Sequence, residues 1–480
     1  MSDLERMQPH SYTSKYMASS LNRRRFGATL TAGLLGSRAA RAQQPPNVLV
    51  ILTSEMRADA LSSMGAAIAK TPAIDALAKE GCLLRHSITA IPESARGGMA
   101  LLTGRYPKQR SVEGDASQAF QGFPTLTELF AKSGYKTGLI GAPPRPVAKL
   151  SADTVKLYPE PDYKAFLDEN YAHFEGDPHR PMQPLTHGPE GPPPWDVGAT
   201  ALPATGFPTG WIGSQTREFF NAHKEGGPWC CLTTFWKPRE PYILPMPWAK
   251  RYNTERIPAP NLPATHPTPP TASDQPRDYA VGSQAPLIRL LMQSYFGSVA
   301  YVDDEVRAIV RELKILKQFD NTIIAVVGDC GHMLADHGRM FGAVPYEGAL
   351  RTPGVLRFPA GIKPNGRIEA PVSTTAILPT LLELAGVKSN ARFDAPSLAP
   401  ALQDSLQMRE GDAFAAMGFE AVQTAGWKLV EAGDHPTWEP QLFDLSADPG
   451  ETNNLYGKPE GAQAQKDLAK KLDGWRKRLG

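Results

Sequence analysis

The 480-residue chain predicts an α/β fold built around a large, mainly parallel sheet. Two uninterrupted apolar runs, Asn47 to Thr53 and Asn321 to Val327, have the β-branched character of strands covered on both faces. Segments with helical spacing alternate with strand-like ones over the first 140 residues, as βαβ units require. After about Gly386 the texture changes to short strands and turns, which predicts a small C-terminal α+β subdomain.

The elements follow in order. In Thr71-Pro72-Ala73-Ile74-Asp75-Ala76-Leu77-Ala78 the apolar residues recur at helical spacing, Thr71 can cap, and Pro72 fits the first turn. A second helix is expected from near Gly97 through Leu102. Thr125 to Gly134 reads as a capped helix ending in glycine, and Tyr135 to Ile140 as the next strand. From Ala142 to about Asp278 prolines interrupt almost every periodic segment, so ordered loop is expected there, apart from a helix near Ser214 to His223 and a buried strand Trp229 to Phe235. A long helix of about Pro286 to Leu316 leads into the second apolar run. An amphipathic helix of about Glu460 to Leu479 closes the chain.

Composition narrows the function classes. With 41% hydrophobic and 21% charged residues and no apolar run of bilayer length, the chain is neither disordered nor membrane-spanning. The 51 Lys+Arg against 49 Asp+Glu provide no basic field for nucleic acid. The 46 prolines are about twice the usual share. Cys82, Cys230, Cys231 and Cys330 form no Cys-x-x-Cys unit, so buried thiols are expected and not a zinc ribbon or a disulfide framework. Cys230 and Cys231 are adjacent in a strand and must face opposite sides of the sheet.

The N-terminus reads as an export signal. Asn22-Arg23-Arg24-Arg25-Phe26 precedes an uncharged stretch to Ser37, and Ala40-Arg41-Ala42 supplies a small-x-small ending. Paired arginines before Phe point to the twin-arginine route, and hence to a periplasmic or secreted bacterial protein. Met17, just upstream, is a second candidate start. Residues 1–42 hold seven Lys+Arg and two Asp+Glu, so the predicted mature chain has 44 against 47 and a net charge of -3.

From Pro46-Asn47-Val48-Leu49-Val50-Ile51-Leu52-Thr53 and Arg57-Ala58-Asp59-Ala60-Leu61 onward, the chain resembles the sulfatase family within the alkaline phosphatase superfamily. Thr71 to Ala78, Leu101-Leu102-Thr103-Gly104-Arg105-Tyr106-Pro107, Tyr301-Val302-Asp303-Asp304, Gly331 to Gly338 and Asp448-Pro449-Gly450-Glu451-Thr452-Asn453-Asn454-Leu455 stand in family order. The resemblance implies a three-layer sandwich, with a sulfatase-like N-terminal domain over 45–386 and a C-terminal subdomain over 387–480. It further implies sulfate ester hydrolysis by a formylglycine made from Cys or Ser, beside a divalent cation, calcium in the family.

Residue by residue, the family's site is altered. Its paired aspartates after the first strand become Ser54-Glu55. The modified position falls on Ser94, but the Pro and Arg that complete the modification motif fall on Arg96 and Gly98, so formylglycine is not expected. Ala142-Pro143-Pro144 replaces Lys-Trp-His, Arg239 replaces the histidine of Pro-His-x-Pro, and Gly342 replaces a lysine. Of the metal pair, Asp329 is kept and Cys330 replaces its partner.

Glu55 and Asp329 are therefore the candidate metal ligands, able to hold a divalent cation only weakly, because hard cations want six or so oxygens. Ser94 is the candidate nucleophile position, and Arg96 and Arg239 are candidate anion-binding groups. His332, Asp336 and His337 have metal-like spacing but are assigned to packing of the site loop. Asp303 and Asp304 are assigned to helix-to-loop bonding. The sequence thus predicts an exported family member with a degenerate site and little or no sulfatase activity, binding an anion such as a sulfated or phosphorylated small molecule or glycan, or a protein partner. Its alternatives are a diverged sulfate or phosphate ester hydrolase that uses unmodified Ser94, and a structural partner of an active paralogue.

Overall fold

A computed structural model describes residues 44–66, 68–108, 116–144, 150–172, 197–261, 285–404, 408, 410–433 and 439–479 of the chain. The expected export segment, residues 1–42 with Met17 and Arg23 to Arg25, lies outside the described residues, as does much of the proline-rich stretch. Residues 45–480 form one compact unit.

The strands are β1 (Asn47–Ser54), β2 (Cys82–Ile88), β3 (Lys136–Gly141), β4 (Thr154–Leu157), β5 (Val197–Thr200), β6 (Trp229–Pro238), β7 (Tyr242–Pro245), β8 (Thr322–Gly328), β9 (Arg351–Thr352), β10 (Gly354–Arg357), β11 (Gly366–Ser373), β12 (Ala413–Ala416), β13 (Phe419–Gln423), β14 (Trp427–Ala432) and β15 (Gln441–Asp444). The helices are α1 (Pro72–Glu80), α2 (Ser94–Thr103), α3 (Ala116–Ala119), α4 (Leu126–Lys132), α5 (Pro161–Asn170), α6 (Pro208–Ala222), α7 (Ala285–Ile315), α8 (Glu347–Leu350), α9 (Ile377–Leu384), α10 (Ala399–Gln403) and α11 (Ala462–Leu479). The large sheet runs β11-β2-β10-β8-β1-β6-β3-β4, with β9 added on β2. It is parallel except where β10 lies antiparallel to β2 and β8, and where β9 pairs β2.

All eight residues of β1 are buried, and their alternation divides the core. Val48, Val50 and Leu52 pack on one side with α2, α4 and α9, whereas Leu49 and Ile51 pack on the other with α1, α6 and α7. Cys230 and Cys231 fall into these opposite cores, as strand geometry demands. The C-terminal meander β12-β13-β14-β15 is covered by α11 through Leu468, Leu472 and Trp475, and shares the first core. Trp475 stacks on Phe414 at 5.3 Å and meets the Tyr106 ring edge-on at 5.1 Å. This is an α/β sandwich with a small C-terminal sheet.

Three local expectations change. The second helix begins at Ser94 and not near Gly97, because the Glu93 carboxylate accepts from the Ala95 and Arg96 N–H groups and starts it earlier. The Thr71 hydroxyl does not cap α1. It bonds to Asp75 instead, and the Asp303 carboxylate on α7 accepts from the Ala73 and Ile74 N–H groups at 3.1 and 2.8 Å. The proline-rich stretch, expected as loop, also forms β4, α5, β5 and β7, with Pro161 and Pro208 at helix starts where no N–H is needed.

The Asp303 cap predicts a stability effect. Asp303→Ala should cost about 1–2 kcal/mol in urea unfolding at neutral pH. Burial, the largest influence, lifts this carboxyl to about 6, above its unfolded value near 4. Its titration therefore favours the fold fully below about pH 4 and loses that contribution as pH rises through about 6. Asp303→Asn should flatten this part of the stability profile.

Candidate active site

In the order β8-β1-β6-β3 four adjacent parallel strands end on the same edge of the sheet, so the residues that follow them are brought into line. These are Asp329, Glu55, Arg239 and Ala142 to Pro144. Helix α2 starts across from them with Ser94.

Glu55 leaves β1 in the left-handed region, at φ 57°. A non-glycine residue there costs on the order of 1–3 kcal/mol. The Tyr295 hydroxyl, from α7, donates to its carbonyl at 2.8 Å and accepts from the next turn's Arg57 N–H at 2.9 Å, which holds the bend. The bend points the Glu55 N–H at Asp329.

Asp329 is 3% exposed, and its carboxylate accepts three hydrogen bonds. Oδ1 takes the Glu55 N–H at 2.8 Å and the Cys330 N–H at 2.6 Å, and Oδ2 takes the Ser94 hydroxyl at 2.6 Å. The Ser54 hydroxyl lies 2.9 Å from that of Ser94 and interacts with the same Asp329 carboxylate. Burial raises the Asp329 pKa while these bonds oppose the rise, the one from Ser94 foremost.

Beyond Glu55 lies a second cluster. Arg239 Nε is 3.2 Å from Glu55 Oε1 and 3.3 Å from Glu240 Oε1, and its guanidinium lies over Trp236 at 4.8 Å. Burial first, then Glu240, push the Glu55 carboxyl well above the usual range. Lys237 is fully buried and donates to the Arg239 and Pro241 carbonyls, which fixes the loop that carries Arg239 and Glu240. Burial lowers its amine to about 7.

Glu55, Glu240 and His332 place ligand atoms within 4.8 Å of one another, close enough to hold a metal ion. The histidine's hydrogen bonds oppose that use. His332 Nδ1 accepts the Leu334 N–H at 3.0 Å, and burial drops the ring's pKa to about 3, so it is neutral with its hydrogen on Nε2. That hydrogen faces the Tyr242 hydroxyl at 2.8 Å, leaving Nε2 without a lone pair, whereas metal-bound imidazoles donate from their second nitrogen. Both Asp329 oxygens are also engaged, and burial keeps the Cys330 thiol protonated. Glu55 Oε2 and Glu240 Oε2 are buried without a hydrogen-bond partner, but with His332 Nε2 and the Asp329 oxygens engaged, two carboxylate oxygens fall short of the six or so that the divalent cation implied by the sequence resemblance takes.

A cleft of about 560 Å³ opens between these groups, with Ser94, Asp329 and Arg239 on its polar side and Pro143, Pro144, Tyr158 and Trp236 among its walls. Arg96 is buried on α2 and does not line it. The backbone N–H groups that open α2 are already taken by Glu93. Helix and strand approach so closely here that a Cβ on Gly97 would lie 2.4 Å from the Asp329 carbonyl, and one on Gly98 2.3 Å from Pro144 Cγ. At Gly342 a Cβ would lie 2.6 Å from the Pro92 carbonyl, so the position has no room for a lysine without a shift.

Sequence reasoning missed Lys237, Glu240, Tyr242 and Tyr295. The signal for the first two was a pair of charges inside a proline-bounded segment beside Arg239. His332, Asp336 and His337 do not converge on one ligand. Asp336 accepts from Arg57 and from the Asn261 N–H, and His337 bonds the Gly450 carbonyl and stacks on Tyr346 at 4.0 Å.

Comparison with known proteins places this arrangement. The family model "Sulfatase" matches residues 46–168 and 262–387, and that of the "N-sulphoglucosamine sulphohydrolase, C-terminal" region matches 336–478. An arylsulfatase of Clostridium perfringens is 23% identical over 472 residues, spanning 89% of this chain and 95% of that protein. The crystal structure of a phosphonate monoester hydrolase of Agrobacterium radiobacter superposes with a TM-score of 0.75 at 21% identity, covering 91% and 96% of the two chains. A protein solved with its substrate D-glucosamine-2-N,6-O-disulfate superposes with a TM-score of 0.74 at 20% identity, covering 91% and 98%. Among the described residues of this chain no helix is long and apolar enough to cross a membrane.

All four cysteines are buried and unpaired, and burial lifts Cys82 and Cys231 to about 12 and Cys230 and Cys330 well above the usual thiol value. A thiol-disulfide reagent at pH 8 should label none of them in the folded protein and all four in guanidinium. Rapid native labelling of Cys330 would contradict the described site.

Proposed function

The chain belongs to the sulfatase family, and from that premise we propose that its cleft binds a ligand with little or no sulfate ester hydrolysis. The observation that carries this reading is the placement of Arg239, whose guanidinium lies between Glu55 and Glu240 and takes Oε1 of each, leaving only their Oε2 atoms unpartnered. Asp329 is likewise committed to Ser94 and two backbone N–H groups. Losing one donor that stabilises the transition state typically costs about a hundredfold or more in rate. Here Ala142 to Pro144, Arg239 and Gly342 replace several at once.

On this reading formylglycine is not formed at Ser94 and no calcium is held at the strand ends. Residues 1–42 act as a twin-arginine signal that delivers the chain to the periplasm or medium, with 45–386 and 387–480 as its two folded parts. The composition of residues 22–42 supports this.

A second reading rests on the 2.6 Å bond from the Ser94 hydroxyl to a carboxylate whose basicity burial has raised. Ser94 Oγ would then attack the sulfur or phosphorus of an ester as its proton passes to Asp329, the bond to the alcohol oxygen breaks and that oxygen takes the proton from Asp329, and water hydrolyses the resulting seryl ester to release sulfate or phosphate.

The two readings separate in one assay. Purified full-length protein, with its metal content measured and calcium supplied, should turn over an aryl sulfate and an aryl phosphate no faster than buffer. Turnover at ordinary enzyme rates would overturn the first reading, and its abolition by Ser94→Ala would establish the second.

A further inference from the structure

Most of the hydrogen-bond donors around the cleft are already used within the protein. Among its described lining residues, Pro143, Pro144, Pro159 and Pro241 have no N–H to donate. The N–H groups of Ala95, Ala142 and Tyr158 are taken by Glu93 and by the Thr234 and Gly141 carbonyls. Thr234 Oγ1 donates to the Ile140 carbonyl at 3.1 Å, and Trp236 Nε1 donates to the Glu240 carbonyl. The Ser54 and Ser94 hydroxyls lie 2.9 Å apart, and Ser94 donates to Asp329. Arg239 remains: its Nε faces Glu55 and Glu240, its side chain is 32% exposed, and its outer N–H groups can meet a ligand acceptor.

The polar groups are therefore gathered on one side, and the other walls are proline and aromatic. The volume of about 560 Å³ is room for a ring with substituents. A carbohydrate ring carries hydroxyls around its whole edge. Those that face the prolines, Phe235 and Trp236 would leave water without replacement, and each costs about tenfold or more in affinity. An aromatic ring loses nothing polar against these walls. It gains apolar burial and contact with Tyr158 and Trp236, whose rings already meet edge-on at 6.4 Å.

Resting on the reading that the cleft binds a ligand without sulfate turnover, we infer that the part seated in it is an aromatic ring with an oxygen acceptor directed at Arg239, and that carbohydrate rings are rejected. The selection is made by hydrogen bonding and apolar contact, so it holds for charged and uncharged ligands alike.

Calorimetry on the full chain tests this with two charge-matched pairs, phenyl sulfate against glucose 6-sulfate and benzamide against glucose. The aromatic member of each pair should bind about tenfold or more tightly. Methyl sulfate, which keeps the anion without the ring, should fall about tenfold or more below phenyl sulfate. Trp236→Ala should weaken both aromatic probes and leave methyl sulfate unchanged, whereas Trp236→Phe, which keeps a flat ring, should retain the preference. Binding of glucose 6-sulfate or methyl sulfate as tightly as phenyl sulfate would overturn the inference while leaving a ligand-binding cleft. Heat from none of the probes at millimolar concentration would overturn the inference and the binding reading together. Hydrolysis of phenyl sulfate at ordinary enzyme rates would overturn the proposed lack of sulfatase activity, and the order of benzamide and glucose would then decide the inference separately.

Discussion

The Asp329 carboxylate collects donors from three parts of the chain: the turn after β1 through Glu55, its own loop through Cys330, and the start of α2 through Ser94. Hydrogen bonds to a charged group are worth about 1.5–3 kcal/mol each, and an ionised carboxylate buried without them would be far costlier than the bonds repay. The rest of the site follows from keeping these donors in place. Glu55 must bend into the left-handed region for its N–H to reach, and Tyr295 holds that bend. Helix α2 comes so close to the end of β8 that a side chain at Gly97 would meet the Asp329 carbonyl, and close enough to Pro144 after β3 that one at Gly98 would meet its ring.

The same constraint sets the chemistry of the cleft. A carboxylate that accepts three bonds has little left for a cation, and its neighbours Glu55 and Glu240 share a resident guanidinium through Oε1. His332 accepts from the backbone on one nitrogen and donates to Tyr242 from the other, which makes it a structural link between loops. Lys237 does for the Arg239 loop what Tyr295 does for the Glu55 turn, since each is a buried side chain that ties down a segment bearing a cleft residue. The result is a polar cluster in which Arg239, Ser94 and backbone N–H groups engage most of the carboxylate oxygens, with Glu55 Oε2 and Glu240 Oε2 left unpartnered.

Parts of this were legible from residues alone. The β1 and β8 runs announce buried parallel strands because only such strands are apolar on both faces. The positions after them, Glu55 and Asp329, came from the motifs shared with the sulfatase family, and parallel strands ending on one edge agree with that placement. Ser94 could be reached by counting along the chain. The α2 start was placed near Gly97 because the Glu93 cap on the Ala95 and Arg96 N–H groups is formed only in the folded turn, and the role of Gly97 and Gly98 lies in contacts with Asp329 and Pro144, more than forty positions away in sequence. The prolines between Ala142 and Asp278 read as loop for a similar reason, because local propensity cannot show that a proline sits harmlessly at a helix start.

Sequence by itself determined the α/β fold class, the main strands and helices and the family. Those are local properties, fixed by apolar periodicity and by residue type at motif positions. Only the tertiary structure decided that Arg239 would pair with Glu55 and with a Glu240 that no motif marked, that Ser94 would give its proton to Asp329, and that the start of α2 would be occupied by Glu93. Each is a distance between groups whose charge and proton state depend on burial and on partners, and such distances are set by how the strand ends and α2 pack around one carboxylate.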